Sequence, residues 1–305
     1  MPKQRVNAKE APRSIVGRAQ AFSRGPIRIL RANPNMLLGL VILVAFSYFA
    51  IFSPILVRSD PTRVNTDSLF ESPSGEHWFG TDHAGRDVFD RTITGTRISL
   101  LVGFAVALIA NVAGLTIGLF AGYYSKLDNL VMRFMDGLMA FPSILLALAL
   151  IATLGSSIQN VIIALCVVET PRMVRVVRGS VLSLRNQVFV EAARAIGAPA
   201  RRIIFLHIAP NTFAPAMVQA TFIFALAIIA EANLSFLGAG TPPFIPSWGN
   251  IIAEGRTYIQ TAFWVTFFPG AALALTVLAI NLVGDGLRDA LDPKLARRGI
   301  GEASP

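Results

Sequence analysis

Long stretches without a charged residue constrain this chain more than any other feature. Four of them exceed the roughly 20 apolar residues that cross a bilayer, namely Met36–Val57, Ile98–Ser125, Ile208–Ala230 and Thr257–Gly284. They explain why only 15% of the 305 residues are charged, whereas soluble domains have about 25%. The sequence therefore predicts an all-α polytopic membrane protein.

A fifth stretch, Gly137–Val168, is charge-free for 32 residues, which is too long for one span. Turn-forming residues at Gly155–Asn160 interrupt it and predict a tight helical hairpin. The second arm of this hairpin is expected at about Val161–Val177. Together with the four spans above, the hairpin gives six transmembrane helices.

The distribution of Lys and Arg predicts the orientation of the spans. The leader Met1–Asn35 holds eight of these residues and the segment Glu169–His207 holds seven, whereas Arg58–Arg97 holds five beside seven acids. With the leader inside, 21 of the 27 Lys and Arg residues are cytoplasmic. Both termini are therefore expected in the cytoplasm, and the net charge of +9 reflects topology rather than nucleic-acid binding.

The chain is expected to contain three parts. Residues 1–97 hold the basic leader, the first span and an outer loop. Residues 98–295 hold a five-helix core with an inner docking element at about 190–206. Residues 296–305 form a cytoplasmic tail.

The inner basic segment has the pattern of two short helices. Glu191–Ile196 favours a helix that Gly197 ends, and Pro199 suits the first turn of a second helix running to about Leu206. Pro210 then marks the entry to the fifth span. On spacing alone, this segment is either a helix that docks in a partner's groove or an ordinary solvated loop.

Several motifs resemble one family of permeases. Glu191-Ala192-Ala193 followed by Gly197 and Pro210 resembles the EAA motif of ABC-importer permeases. Further segments resemble the C-type subunits of the dipeptide/oligopeptide/nickel branch, in the same order along about residues 35–295: His77–Asp82, Gly85–Asp87, Met132–Pro142, Leu234–Gly238, Pro246–Gly249 and Asn281–Pro293.

The resemblance implies a type I ABC-importer permease fold in the cytoplasmic (inner) membrane. It implies that the motif forms a coupling helix contacting an ATPase subunit, with these residues taking part: Glu191, Ala192, Ala193, Arg194, Gly197, Arg201, Arg202, His207 and Pro210. The implied partners are a second homologous permease subunit in a heterodimer, two cytoplasmic ATP-binding subunits and an extracytoplasmic substrate-binding protein. ATP and Mg would bind to the ATPases, and no cofactor is expected in this chain.

The resemblance implies di- or oligopeptides as the first substrate class, with nickel, glutathione and opine-like compounds open. Two residues depart from the usual pattern. Ala209 replaces a Leu in the EAA motif, and Ala239 interrupts a common Gly-Leu-Gly. These departures leave the substrate less defined than the family.

Three polar residues within the predicted spans could line the passage: Asn111, Gln219 and Asn281. Interhelical hydrogen bonding is the alternative role. No charged residue is predicted at the bilayer midplane, which argues against a proton- or sodium-coupled carrier. A stand-alone carrier or channel is nevertheless the competing function class.

No catalytic residue is predicted. The chain has no phosphate-binding Gly-x-x-x-x-Gly-Lys-Ser/Thr loop and only three His. The outer segment His77–Asp90 holds two His and several acids, but without tight metal-ligand spacing. We therefore expect no metal there, and a structural turn at Phe79–Asp82 instead.

Overall fold

The computed structural model describes residues 33–291, so the predicted tail and almost all of the leader lie outside the described residues. The described chain is built from helices and loops. Its α-helices are α1 (Pro34–Leu56), α2 (Val88–Tyr123), α3 (Ser125–Met139), α4 (Ser143–Leu154), α5 (Ile158–Leu184), α6 (Val188–Ala195), α7 (Ala200–Phe236), α8 (Trp248–Gly255) and α9 (Trp264–Leu291).

Four of these helices are long and apolar enough to cross a membrane: α1, α2, α7 and α9. The pair α3 and α4 passes the same test only when it is taken together, and its two helices meet at 89°. Residues 33–291 thus contain four clear span candidates, or five with the bent pair. The predicted second hairpin arm, Val161–Val177, lies within α5, where Glu169, Arg172 and Arg175 interrupt the apolar run.

The charge-free stretch Gly137–Val168 has two breaks rather than one. The predicted turn is present at Gly155, which has a φ of 87°. A second break separates α3 from α4 at residues 140–142, because a proline disfavours helical backbone in the residue before it and Pro142 follows Phe141. Since α4 has only 12 residues, its length is about 18 Å, which is too short for a full span.

The helix core forms around close contacts between α2 and α5. Gly118 and Gly122 face α5, and a Cβ on them would lie 2.7 Å from Val177 Cβ and 2.6 Å from Val181 Cβ. Small residues allow helices to approach closely where lipid gives no hydrophobic drive. Gly118 and Gly122 thus let α2 and α5 pack backbone against side chain at the centre of the bundle.

Helix α1 lies at the edge of the bundle. Only Gly39 and Ser53 of this helix are buried. A Cβ on Gly39 would lie 2.6 Å from the Ala279 carbonyl oxygen, so α1 packs tightly on α9. Leu43 and Phe46 pack against the cluster around Trp248. Most other large apolar side chains of α1 are exposed, among them Val41, Ile51 and Ile55.

Candidate coupling site and outer platform

The connection between α5 and α7, which the distribution of Lys and Arg predicts on the inner side, forms a compact inner elbow, residues 185–202, with α6 at its centre. Helix α6 ends in a Schellman motif, in which Gly197 N–H donates to the Arg194 carbonyl (2.9 Å) and Ala198 N–H donates to the Ala193 carbonyl (3.0 Å). Gly197 has a φ of 81°, a left-handed conformation that favours glycine. The predicted helix break at Gly197 is therefore present and has a defined geometry.

One face of α6 attaches the elbow to the bundle. Val190 and Ala193 are buried in the same hydrophobic core cluster as Ile203 and Ile204 at the start of α7. A cation–π contact adds to this attachment, since the Arg194 guanidinium lies 5.6 Å from the centroid of the Tyr123 ring at the inner end of α2. The base of the elbow is thus fixed to the bundle by apolar packing and by Arg194.

The opposite face of the elbow is exposed. Ile196 is 86% exposed and Val188 is 79% exposed, although both are apolar. The exposed predicted coupling residues are Glu191, Ala192, Arg194, Gly197, Arg201, Arg202 and Pro210. An apolar and charged surface of this kind at a rigid tip is typical of a helix that packs in a partner's groove.

The prediction of a separate second inner helix ending near Leu206 is wrong. Helix α7 runs without interruption from Ala200 to Phe236. A π-helical turn at Ile203–Ile208 widens the backbone, with Ala209 N–H bonding to the Ile204 carbonyl, and such bulges accommodate irregularities inside helices. Pro210 therefore lies within a continuous helix.

Continuity of α7 has a mechanical consequence. With 37 residues the helix is about 55 Å long, and it leads from the elbow to the opposite end of the bundle. His207 is half-buried in its first turns, and its carbonyl oxygen accepts a bond from Asn211 Nδ2 at 2.6 Å. A displacement of the elbow would therefore be transmitted along α7 towards the opposite end of the bundle.

The three predicted pathway residues are on three different helices. Asn111 of α2 is 9% exposed, and its Nδ2 lies 3.9 Å from Met217 Sδ of α7. Its Oδ1 is buried without a partner among the described residues. Gln219 and Asn281 are half-buried on α7 and α9, so their lining role stays a prediction.

The end of the bundle opposite the elbow, which is predicted to face outward, contains a buried ion cluster. Asp82 is fully buried and its Oδ2 accepts from Arg86 Nε at 2.7 Å and from Arg91 Nη1. Arg91 also lies 2.8 Å from Glu254 of α8. The cluster therefore links the outer loop, α2 and α8, and we call these parts the outer platform.

Charge neighbours determine the titration of Asp82. Burial alone would raise its pKa, but Arg91, Arg86 and the backbone N–H groups of Ala84 and Arg86 outweigh burial and hold the pKa below its ordinary value of 3.8. Asp82 is thus ionised at neutral pH and balances the buried guanidinium.

Asp82, His83 and Glu254 bring three potential metal-ligand atoms within 4.8 Å of one another. Two arginines already contact the carboxylates, and a nearby guanidinium opposes a second cation. His77 Nδ1 instead lies 2.8 Å from Asp87, which caps α2 by accepting from Phe89 and Asp90 N–H. The residues of this segment thus stabilise a turn, with Gly80 at a φ of 73°.

A second outer network surrounds Glu231, near the end of α7. Its Oε1 accepts from Ser235 Oγ at 2.8 Å and from Ser247 Oγ at 2.9 Å. Asn250 Nδ2 donates to the carbonyls of the same connection, including that of Thr241 at 3.0 Å. These bonds fix the loop between α7 and α8 to the outer platform.

Sequence reasoning placed Glu169 and Arg172 near the inner end of the predicted arm Val161–Val177 but did not predict that they pair inside the bundle. The structure places Glu169, which is 4% exposed, twelve residues into α5. Arg172 Nη1 lies 3.1 Å from its Oε2. One feature of the sequence could have indicated that the helix extends past Glu169. Arg172, Arg175 and Arg178 are spaced at i, i+3 and i+6, which places them on one face of a helix.

These features define a multi-pass helical membrane protein with an exposed inner elbow. A family model described as "Binding-protein-dependent transport system inner membrane component" matches residues 114–297. The chain is 47% identical over 273 residues to the dipeptide transport system permease protein DppC of Alkalihalophilus pseudofirmus, covering 89% of this chain and 90% of that protein. It is 43% identical over 270 residues to the di/tripeptide transport system permease protein DppC of Pseudomonas aeruginosa, covering 86% and 89%.

A solved structure has the same fold. A chain of the MetNI methionine ABC transporter in inward-facing conformations aligns with a TM-score of 0.55 and 21% identity, covering 66% of this chain and 97% of that chain. This chain belongs to the family of inner-membrane components of binding-protein-dependent transport systems. It is thus a transport permease subunit rather than an enzyme, as the sequence predicted.

Proposed function

We propose that this chain forms half of the translocation pathway of an ATP-driven importer of di- or oligopeptides. The observation that carries the proposal is the exposed, rigidly capped elbow at one end of a continuous helix. The names of the two relatives above, which are identical to this chain at 47% and 43% of aligned positions, support peptides as the substrate class.

In this proposal the elbow docks into a cytoplasmic ATPase subunit. Val188 and Ile196 would enter an apolar groove, and Glu191, Arg201 and Arg202 would orient the helix through charge. ATP and Mg²⁺ bind to the ATPases and favour one of two arrangements of the complex. Because nucleotide shifts a conformational equilibrium only through differential binding, closure of the ATPases must move the elbow, and α7 carries that motion outward.

The proposed assembly has a second, homologous permease as the other half of a heterodimer, two ATPases inside and a substrate-binding protein outside. Both termini are cytoplasmic and six segments cross the membrane, with α5 and the bent pair α3 and α4 completing the set. The excess of Lys and Arg in the inner segments supports this orientation. Reporter fusions after residues 33, 60, 156 and 291 would test it, and we expect an outer signal only at 60 and 156.

Uptake by the reconstituted complex tests the function. The permease pair, ATPases and binding protein in proteoliposomes should accumulate a labelled dipeptide only with ATP. A Walker-site variant of the ATPase is the matched control. Peptide accumulation without the ATPases would contradict the proposal. A binding protein that binds a non-peptide solute but no peptide would also contradict it.

A further inference from the structure

The inner half of the α4–α5 hairpin carries an unusual charged surface. Glu169 is buried, and Arg172 Nη1 lies 3.3 and 3.1 Å from its two carboxylate oxygens. Arg172 Nη2 also donates to Ser143 Oγ at 3.3 Å. The Arg172 side chain is 35% exposed. Within this pair the carboxylate is therefore buried, whereas part of the guanidinium side chain is accessible.

In the topology proposed above, in which α5 crosses the membrane from the turn at Gly155, this pair lies deep in the membrane. Helix α5 starts at Ile158, directly after the turn at Gly155. Eleven residues separate Ile158 from Glu169, a rise of about 16 Å, which is about half of the 30 Å hydrocarbon core. Helix α4 descends about 18 Å from the same turn to Ser143, so both partners of Arg172 lie at comparable depth.

The polar surface continues from Arg172 to the inner end of α5. Arg175 Nη2 lies 2.7 Å from Asp136 Oδ1, and both side chains are more than half exposed. One turn further on, Arg178 pairs with Asp128. Charged groups at membrane depth face protein or a water-filled cavity rather than lipid, so this row of side chains indicates a vestibule that is open to the inner side.

Arg172 is the deepest guanidinium of the bundle within residues 33–291. The other long helices α2, α7 and α9 carry no Lys or Arg through their central turns. A guanidinium binds a carboxylate through two parallel N–H···O bonds. A carboxylate that enters the vestibule would therefore contact the Arg172 guanidinium, which Glu169 and Ser143 already hold in place.

We propose that Arg172 is a transient binding site for an anionic group of the cargo, in a water-filled vestibule on the inner half of the α4–α5 hairpin. The identification of that group as a peptide carboxylate rests on the proposed function. Glu169 competes for the same guanidinium, which keeps the site weak enough for cargo to leave, as conduction requires.

Thiol labelling tests the vestibule. Cys166 is the chain's single cysteine, so Cys166→Ala gives a thiol-free background. In the full complex, Ser143→Cys should react with a membrane-impermeant thiol reagent applied from the cytoplasmic side. Leu145→Cys is the control, because Leu145 is two residues away, 57% exposed and apolar, and it should stay unlabelled. Failure of the Ser143→Cys variant to react, or equal labelling of the two variants, would overturn the vestibule.

Cargo protection tests the binding site. A dipeptide at saturating concentration on the cytoplasmic side should slow the labelling of the Ser143→Cys variant severalfold, because a carboxylate bound at Arg172 would cover the neighbouring thiol. The same dipeptide with an amidated C-terminus should have little effect, and Arg172→Gln should abolish the protection while Arg172→Lys keeps part of it.

Equal protection by acid and amide, or protection that survives Arg172→Gln, would overturn the role of Arg172. These outcomes are separate from a failure of the proposed function. The complex could import no peptide while inorganic or organic anions still protect the introduced thiol in a way that depends on Arg172. That result would show that the proposed substrate class is wrong and would leave the anion-binding site supported.

Discussion

The two ends of the bundle hold their charged residues in opposite ways. In the outer platform, Asp82 and Arg91 are almost completely buried and paired, and Glu231 is enclosed by hydroxyl groups. At the inner elbow, Glu191 and Arg201 are exposed beside the apolar Ile196. The outer end thus pairs its charged groups within this chain, although Arg91 Nε and Glu231 Oε2 are buried without a partner among the described residues. The inner end instead leaves both polar and apolar groups for another surface.

This difference indicates which contacts stabilise each end of the bundle. The outer platform is a self-contained structure, so substitutions there should act on folding. The elbow is fixed at its base by Val190, Ala193 and the contact of Arg194 with Tyr123. Substitutions at its tip should therefore act on assembly and uptake. The predictions below test this division, beginning with the largest expected effect.

Asp82→Ala should produce the largest loss of stability. The change leaves Arg91 buried with one partner fewer, and breaking a buried pair costs about 3–5 kcal/mol. We expect about 3 kcal/mol, the lower end of that range, since Glu254 still contacts Arg91. Thermal unfolding of the purified permease measures it, with exposed Glu76→Ala as the control. An unchanged Tm for Asp82→Ala would show that the cluster is not structural.

Acid should weaken the same platform. The folded state holds the pKa of Asp82 below the ordinary value of 3.8, so the ionised carboxylate adds stability that is fully present above 3.8 and is lost as pH falls through the lower folded pKa. The slope of Tm against pH below pH 4 should therefore decrease in Asp82→Asn. Identical slopes in the two proteins would assign the acid sensitivity to other carboxylates.

The sequence predicted the helical class, the break at Gly197 and the exposed position of Glu191 from spacing and backbone preferences, which are local properties. It did not predict the bend of 89° between α3 and α4, because Pro142 lies within an uninterrupted apolar run. Nor did it predict that Asp82 and Arg91 are buried together with Glu254 in one ion cluster. The partners in that cluster are as distant in sequence as Glu254 on α8, and such contacts are fixed only by tertiary packing.

Gly197→Asp should abolish uptake with little effect on membrane insertion. The left-handed backbone costs a residue with a side chain about 1 kcal/mol, and the new carboxylate enters the docking surface. Nothing lies within 4 Å of a Cβ at either Gly197 or Gly179. Gly179→Asp is therefore the matched control, as it keeps helical backbone. Normal ATP-dependent uptake by Gly197→Asp would remove the coupling role of the elbow.

Ile196→Ser should weaken assembly with the ATPases and leave the permease fold intact. The side chain is 86% exposed, so little folding energy depends on it, whereas an apolar contact at an interface is worth about 1–2 kcal/mol, or about tenfold in affinity. Copurification with titrated ATPase measures the effect. The control is Val64→Ser in the outer loop, where Val64 is 61% exposed; equal losses in both variants would argue against a specific interface.

Arg194→Gln should have the smallest effect of the series. It removes the contact with the Tyr123 ring, worth about 0.5–1 kcal/mol at an exposed site. Uptake should fall a fewfold while Arg194→Lys retains most of it. Tyr123→Leu should reproduce the loss of uptake, and adding Arg194→Gln to it should lower uptake little further. Additive losses in the double variant would mean that Arg194 acts directly on a partner.

Cross-linking from the elbow tests most directly whether a separate ATPase drives this permease. Ile196→Cys in the Cys166→Ala background is assembled with its partners and treated with a short thiol cross-linker. We expect a covalent product with an ATPase subunit, in a yield that changes when ATP is added. Labelling of the introduced thiol only from the outer side of the membrane, with no product to the ATPase, would contradict the coupling mechanism.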